Sequence, residues 1–125
     1  MQKTVIIDGA RTPFGKLGGA LTPKTASDLG GLAIKEALTR ANVAADEVDE
    51  VIIGTVLQAA QGQIPSRQAA TKGGLPWQVK TETINKVCAS GMRSVTLADQ
   101  LIRLGDEEVI VAGGMETMSN APYYL

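Results

Sequence analysis

The hydrophobic pattern of this chain switches period repeatedly, and each switch marks an element. The run "TVIIDGA" opens it with a β-branched stretch that breaks at Gly9, which predicts a strand over Thr4–Asp8. In "TPKTASDLGGLAIKEALTRANV", Leu29, Leu32, Ala33, Ala37 and Ala41 recur at helical spacing. Thr25 followed by Asp28 forms a capping-box pattern at the start of that helix, and Asn42 is a stop signal. "EVIIGTVL" predicts a second strand over Glu50–Leu57. A short helix follows, with Pro65 in its first turn and Gly73 and Gly74 at its end. The third strand spans Thr81–Val87. From Ala89 to Leu104 the period is helical again, with Gly91, Val95, Ala98 and Ile102 on one face and Gly105 as the C-cap. The last strand, Val109–Ala112, is apolar without alternation, the pattern of a central strand buried on both faces. The order β-α-β-α-β-α-β predicts a layered α/β fold with a mostly parallel sheet and right-handed crossovers.

Length and charge narrow the function classes. The chain has 125 residues, the size of one domain, and 44% of them are hydrophobic. Twelve basic side chains face 13 acidic ones, and no basic block stands out, so charge points to neither nucleic acid nor an anionic membrane. The single cysteine excludes an intrachain disulfide and suits a reducing compartment. The apolar run Val5–Ile7 is too short for a signal-peptide core, and no stretch approaches membrane-spanning length. These features predict a soluble cytoplasmic protein. Aromatic residues are limited to Phe14, Trp77, Tyr123 and Tyr124, so Val, Ile, Leu and Ala must build the core, and there is no histidine.

The lone cysteine, Cys88, lies in "INKVCASGM", at the C-terminal end of a predicted strand and just ahead of a predicted helix. Ligands of parallel α/β sheets gather at such strand ends. The helix start offers unpaired N–H groups and partial positive charge to a nucleophile, and the same groups suit an oxyanion. Ala89, Ser90 and Gly91 leave room for a substrate. The plainer alternative is a buried thiol acting as a small hydrophobe. Lys86, two residues earlier, would share a strand face with Cys88, and Arg93 follows five residues later; both read first as structural or interfacial cations. Met115 and Met118 either line a pocket or pack, Met115 being the candidate substrate contact, and Glu116 reads as a structural or solvated carboxylate. Gly113 and Gly114 lack the spacing of a phosphate loop, and Ser90 has no histidine to activate it.

Residues beyond the cysteine carry a resemblance. "NKVCASGMRSV" is similar to the nucleophile segment of the thiolase family, the acetyl-CoA acetyltransferases and 3-ketoacyl-CoA thiolases. "DGARTPFGKLGGAL" resembles the family's opening strand and loop, "SRQAATKGGLP" its second helix, and "VIVAGGMETMSNAPYYL" the strand and loop after the nucleophile helix. The resemblance covers essentially the whole chain in the family's order. Related condensing enzymes such as ketoacyl synthases share the fold and a nucleophilic cysteine, but their segments differ from these.

The resemblance implies acyl transfer through a thioester on Cys88, with the Cys88 backbone N–H as an oxyanion donor. Acyl-CoA and CoA would be the substrates, with no metal and no further cofactor, in a setting such as fatty acid metabolism. It implies a dimer or tetramer in which the strand before the nucleophile pairs across an axis, placing Thr83, Asn85 and Lys86 at the interface. The family also uses a histidine, a second cysteine and an Asn-or-His oxyanion group, all from its C-terminal part, whereas these 125 residues hold no histidine and one cysteine. Residues 1–125 are therefore expected to form a thiolase N-terminal half-domain, incomplete and marginally stable without a loop domain and a complementary C-terminal chain or segment. Two other readings remain at this point: an inactive subunit of this fold serving assembly or binding, and a thiol redox sensor.

Overall fold

The structure, a computed structural model, describes residues 3–125. Its sheet has three parallel strands, β1 (Glu50–Gly54), β2 (Lys80–Ile84) and β3 (Ile110–Gly114), in the order β2-β1-β3. Helices α1 (Ala26–Ala41), α2 (Pro65–Lys72) and α3 (Ser90–Leu104) complete it, with short 3-10 turns at Ala45–Glu47 and Met118–Asn120. The crossover from β1 to β2 runs one way along the sheet, and the crossover from β2 to β3 runs back over β1. Right-handed crossovers in opposite directions put their helices on opposite faces. Val51 and Ile53 accordingly share a core with Ile34, Leu38, Ala69 and Ala70 of α1 and α2, while Gly54 faces α3. No helix among the described residues is long and apolar enough to cross a membrane.

The layered α/β reading holds, and several elements differ in detail. The expected first strand is absent: Thr4–Asp8 carries no sheet pairing, and Val5, Ile6 and Ile7 are all exposed. β-Branched residues favour an extended backbone, but a strand also needs a partner ladder, and this segment pairs with neither sheet edge. The central strand is β1, whose Val51 and Ile52 are fully buried, and not the last strand. β3, reaching Gly114 rather than stopping at Ala112, is a half-buried edge strand because its outer side has no partner among the described residues.

The inward face of α1 is rotated from the predicted stripe. Ala26, Ser27, Gly30, Gly31, Ile34 and Leu38 are buried, whereas Leu32 is exposed. Gly30 and Gly31 cause the rotation by letting α1 approach α2 closely: a methyl group on Gly31 would lie 2.7 Å from Lys72 Cβ.

The capping box is present as predicted. Asp28 Nα–H donates to Thr25 Oγ1 at 3.1 Å and Thr25 N–H donates to Asp28 Oδ2 at 2.9 Å. Lys72 Nζ adds an ion pair to Asp28 at 2.7 Å, linking α2 to the start of α1. The Lys72 ammonium, with the Thr25 amide behind it, holds the Asp28 carboxyl well below the usual carboxylate range. A carboxylate lowered on folding stabilises fully above its unfolded value, near pH ~4, and that contribution fades as pH falls toward the folded value. Asp28→Asn is therefore expected to flatten the acid side of the stability curve between about pH 5 and pH 2. Urea midpoints across that range check it; an unchanged slope would show the pair to be inert.

Candidate active site

Cys88 sits where β2 hands over to α3. β2 ends at Ile84, three residues short of the prediction, because the chain leaves the ladder at Asn85. The Asn85 side chain accepts from Val87 N–H at 2.9 Å, a local bond that competes with strand pairing. Val87 then takes a left-handed conformation, φ +49°. For a β-branched residue this costs about 1–3 kcal/mol and persists only where surrounding bonds over-determine it. Ala89 N–H donates to Lys86 O and Ser90 N–H to Val87 O, both at 3.1 Å, closing the turn. The Ser90 hydroxyl accepts from Lys86 N–H at 2.8 Å and donates to Val87 O at 2.6 Å. α3 begins at Ser90, with no side chain capping its N-terminus. Cys88 is the exposed residue at the apex, two positions before the helix.

The turn rests directly on the ends of two strands. A methyl group at Gly54, the last residue of β1, would lie 2.5 Å from Ser90 O and 2.7 Å from Gly91 N. One at Gly114, the end of β3, would lie 3.1 Å from Gly91 Cα. Only residues without side chains let the first turn of α3 descend this far. Ser94, fully buried one turn on, donates from Oγ to Gly113 O at 2.9 Å and ties the helix to β3.

Glu116 organises the neighbouring loop. Its carboxylate accepts from Thr55 Oγ1 at 2.9 Å, Val56 N at 3.0 Å and Leu57 N at 3.2 Å. These bonds explain why β1 does not run on to Leu57: Thr55 N–H still reaches Ile84 O of β2 at 3.0 Å, but the Val56 and Leu57 amides turn to the carboxylate instead of to a strand. Glu116→Ala leaves Val56 and Leu57 amides without that acceptor and is expected to cost about 1–3 kcal/mol, read from urea unfolding.

Other candidates lie apart from the thiol. Met115 is buried in the core, its sulfur and Ala69 both lying against Gly30, so its position is that of a packing residue. Met118 is exposed. Lys86 is exposed, but the face-sharing expected with Cys88 is gone, since the left-handed Val87 between them interrupts strand alternation. Arg93 turns along α3, Nη1 reaching Thr96 Oγ1 at 3.3 Å and Gln100 Oε1 at 3.1 Å, away from the turn. Thr83 points to α2, its Oγ1 accepting from Ser66 N–H at 3.0 Å. Asn85 is exposed and borders an open hollow of about 470 Å³ lined also by Val56, Leu57, Gln58, Pro122 and Tyr124. Among the described residues no group of three or more His, Cys, Asp or Glu side chains is placed to hold a metal ion.

Gly54, Ser90 and Glu116 are the site residues that pattern reading undervalued. An isolated glycine inside "VIIGTVL" does signal close backbone approach. Nothing in the sequence marks the Ser90 hydroxyl or the three-bond role of Glu116.

The chain is similar to known proteins. An acetyl-CoA acetyltransferase from Yarrowia lipolytica is 56% identical over 119 residues, covering 95% of this chain and 30% of that protein. The mitochondrial acetyl-CoA acetyltransferase B of Xenopus laevis is 55% identical over all of this chain and 30% of its own length. The crystal structure of the Acat5 thiolase from Ascaris suum in complex with coenzyme A superposes with a TM-score of 0.97 at 37% identity, over 99% of this chain and 32% of that one. The chain thus spans about a third of the length of the relatives it matches. The model of the thiolase N-terminal domain matches residues 4–125, and the chain belongs to the thiolase family.

Proposed function

We propose that this chain supplies the nucleophile of an acetyl-CoA acetyltransferase. The observation that carries the reading is an exposed Cys88 at the apex of a strained turn, seated on the strand ends at Gly54 and Gly114 and followed by an uncapped helix start. The names of the relatives, and coenzyme A in the Ascaris structure, support the substrate class.

In the degradative direction Cys88 Sγ bonds to the 3-keto carbon of a 3-ketoacyl-CoA. The Cys88 N–H helps to hold the oxyanion. The bond between the second and third carbons breaks, and its electron pair leaves with acetyl-CoA, which is then protonated. CoA sulfur attacks the acyl thioester, releasing acyl-CoA and restoring the thiol. In synthesis Cys88 takes an acetyl group from acetyl-CoA and CoA leaves; a second acetyl-CoA loses an α proton to a base, and its carbanion attacks the acetyl thioester, breaking the Cys88 S–C bond to give acetoacetyl-CoA and the free thiol. The proton transfers need a base, and with His 0 and Cys 1 we assign them to a further segment that brings the loop domain and the C-terminal half, residues 1–125 being the N-terminal segment. The single free cysteine supports a cytoplasmic, reducing setting.

The outer edge of β2 is unpaired among the described residues, and such an edge is a template for a second copy. This supports a dimer or tetramer built along the β2 backbone at Thr83, with the exposed Asn85 and Lys86 just past its end.

A covalent intermediate makes the reaction ping-pong. The chain, supplemented with the remaining two thirds of a thiolase, is expected to exchange labelled CoA into acetyl-CoA with no second acyl acceptor. Exchange that appears only when both acyl substrates are present would sink the covalent reading.

A further inference from the structure

Left-handed Val87 needs a cause, and the bonds around it name one. Its φ is fixed by the relative orientation of the two peptide groups that meet at its Cα. Asn85 Oδ1 holds the first through Val87 N–H at 2.9 Å; Val87 O of the second accepts from the Ser90 hydroxyl at 2.6 Å and, more weakly, from Ser90 N–H at 3.1 Å. Ser90 also accepts from Lys86 N–H at 2.8 Å, so one hydroxyl spans the turn from both sides. The two side-chain clasps are not equivalent. Asn85 is exposed, so water can take its place, whereas Ser90 is 4% exposed and its backbone lies against Gly54 at the end of β1. Its single proton is committed to Val87 O, which also leaves it no part in nucleophilic chemistry.

We infer that Ser90 is the positioning residue for the nucleophile: its buried hydroxyl locks Val87 left-handed and thereby aims Cys88 at the substrate. The inference rests on the reading of Cys88 as the acyl-accepting thiol. Small misplacements of a reacting group cost orders of magnitude in rate.

The test uses three variants, Ser90→Ala, Val87→Gly and the double variant, in the complemented enzyme with only this chain isotopically labelled. Two quantities are read: the rate of Cys88 acetylation by acetyl-CoA, and the backbone chemical shifts of residue 87, which report the sign of φ. Ser90→Ala is expected to slow acetylation about tenfold or more and to move the Val87 shifts toward extended values. Glycine adopts the left-handed conformation without steric cost, so the double variant is expected within about threefold of Val87→Gly alone. A residue that merely starts the helix would not be rescued in this way. Unchanged rate and shifts in Ser90→Ala, or a double variant as impaired relative to Val87→Gly as Ser90→Ala is relative to the parent, overturns the inference. If the parent never acetylates, the acyl-transfer reading fails, and the shifts alone judge Ser90: left-handed values kept in Ser90→Ala overturn it. If Ser90→Ala does not fold, a folded double variant upholds the inference and an unfolded one overturns it.

Discussion

Cys88→Ala is expected to lower acetyl transfer by the complemented enzyme at least about a thousandfold, because removing a covalent nucleophile removes the path and not just a contact. The same change should leave stability within about 0.5 kcal/mol of the parent, since Cys88 is exposed at the tip of its turn. The pair of results matters more than either alone. A buried thiol acting as a small hydrophobe would give the opposite pair: lost stability and retained rate. A redox sensor would lose peroxide sensitivity with no acyl chemistry to lose. Steady-state rates with acetyl-CoA and urea midpoints on the same preparations separate the three.

The second large effect is expected at a residue that touches no substrate. Gly54→Ala places a methyl group 2.5 Å from Ser90 O and 2.7 Å from Gly91 N, and its nearest neighbours are all backbone atoms with no flexible side chain to give way. Either α3 lifts from the sheet or β1 shifts, and overpacking of this kind costs about 3 kcal/mol. Lifting α3 also carries the turn and Cys88 away from the strand ends, so acetylation should fall by at least about tenfold. Gly113→Ala is the matched control on the adjacent strand. Its methyl group would meet only Ile53 Cδ1, at 3.8 Å, and is expected to cost less than about 1 kcal/mol. Equal urea midpoints for the two variants would mean that close approach at Gly54 does not set the height of the turn.

Much of this was legible in the sequence because it depends on local pattern. The Thr25–Asp28 capping box, Pro65 at the start of α2 and Gly105 at the end of α3 are short-range devices, and each stands where it was read. The position of Cys88 between a strand and a helix was legible for the same reason. What was not legible depends on partners distant in the chain. "TVIIDGA" has strand composition, but composition does not dictate where the segment lies, and it pairs with neither free sheet edge. Val109–Ala112 reads as central because it is apolar, yet sheet order depends on the direction of the crossovers and puts β1 in the middle. The strand ends at Gly54 and Ile84 are set by side chains, Glu116 from beyond β3 and Asn85 at the turn. Met115 shows the limit most plainly: it follows the strand end in sequence, yet it points into the α1/α2 core because Gly114 before it faces α3 and side chains alternate.

The most direct measurement is intact-mass spectrometry with peptide mapping after the complemented enzyme meets acetyl-CoA without a second substrate. The account predicts one acetyl group per chain, mapped to Cys88, released by added CoA and absent in Cys88→Ala. An acetyl group on any other residue, or turnover with Cys88 never acylated, would contradict it.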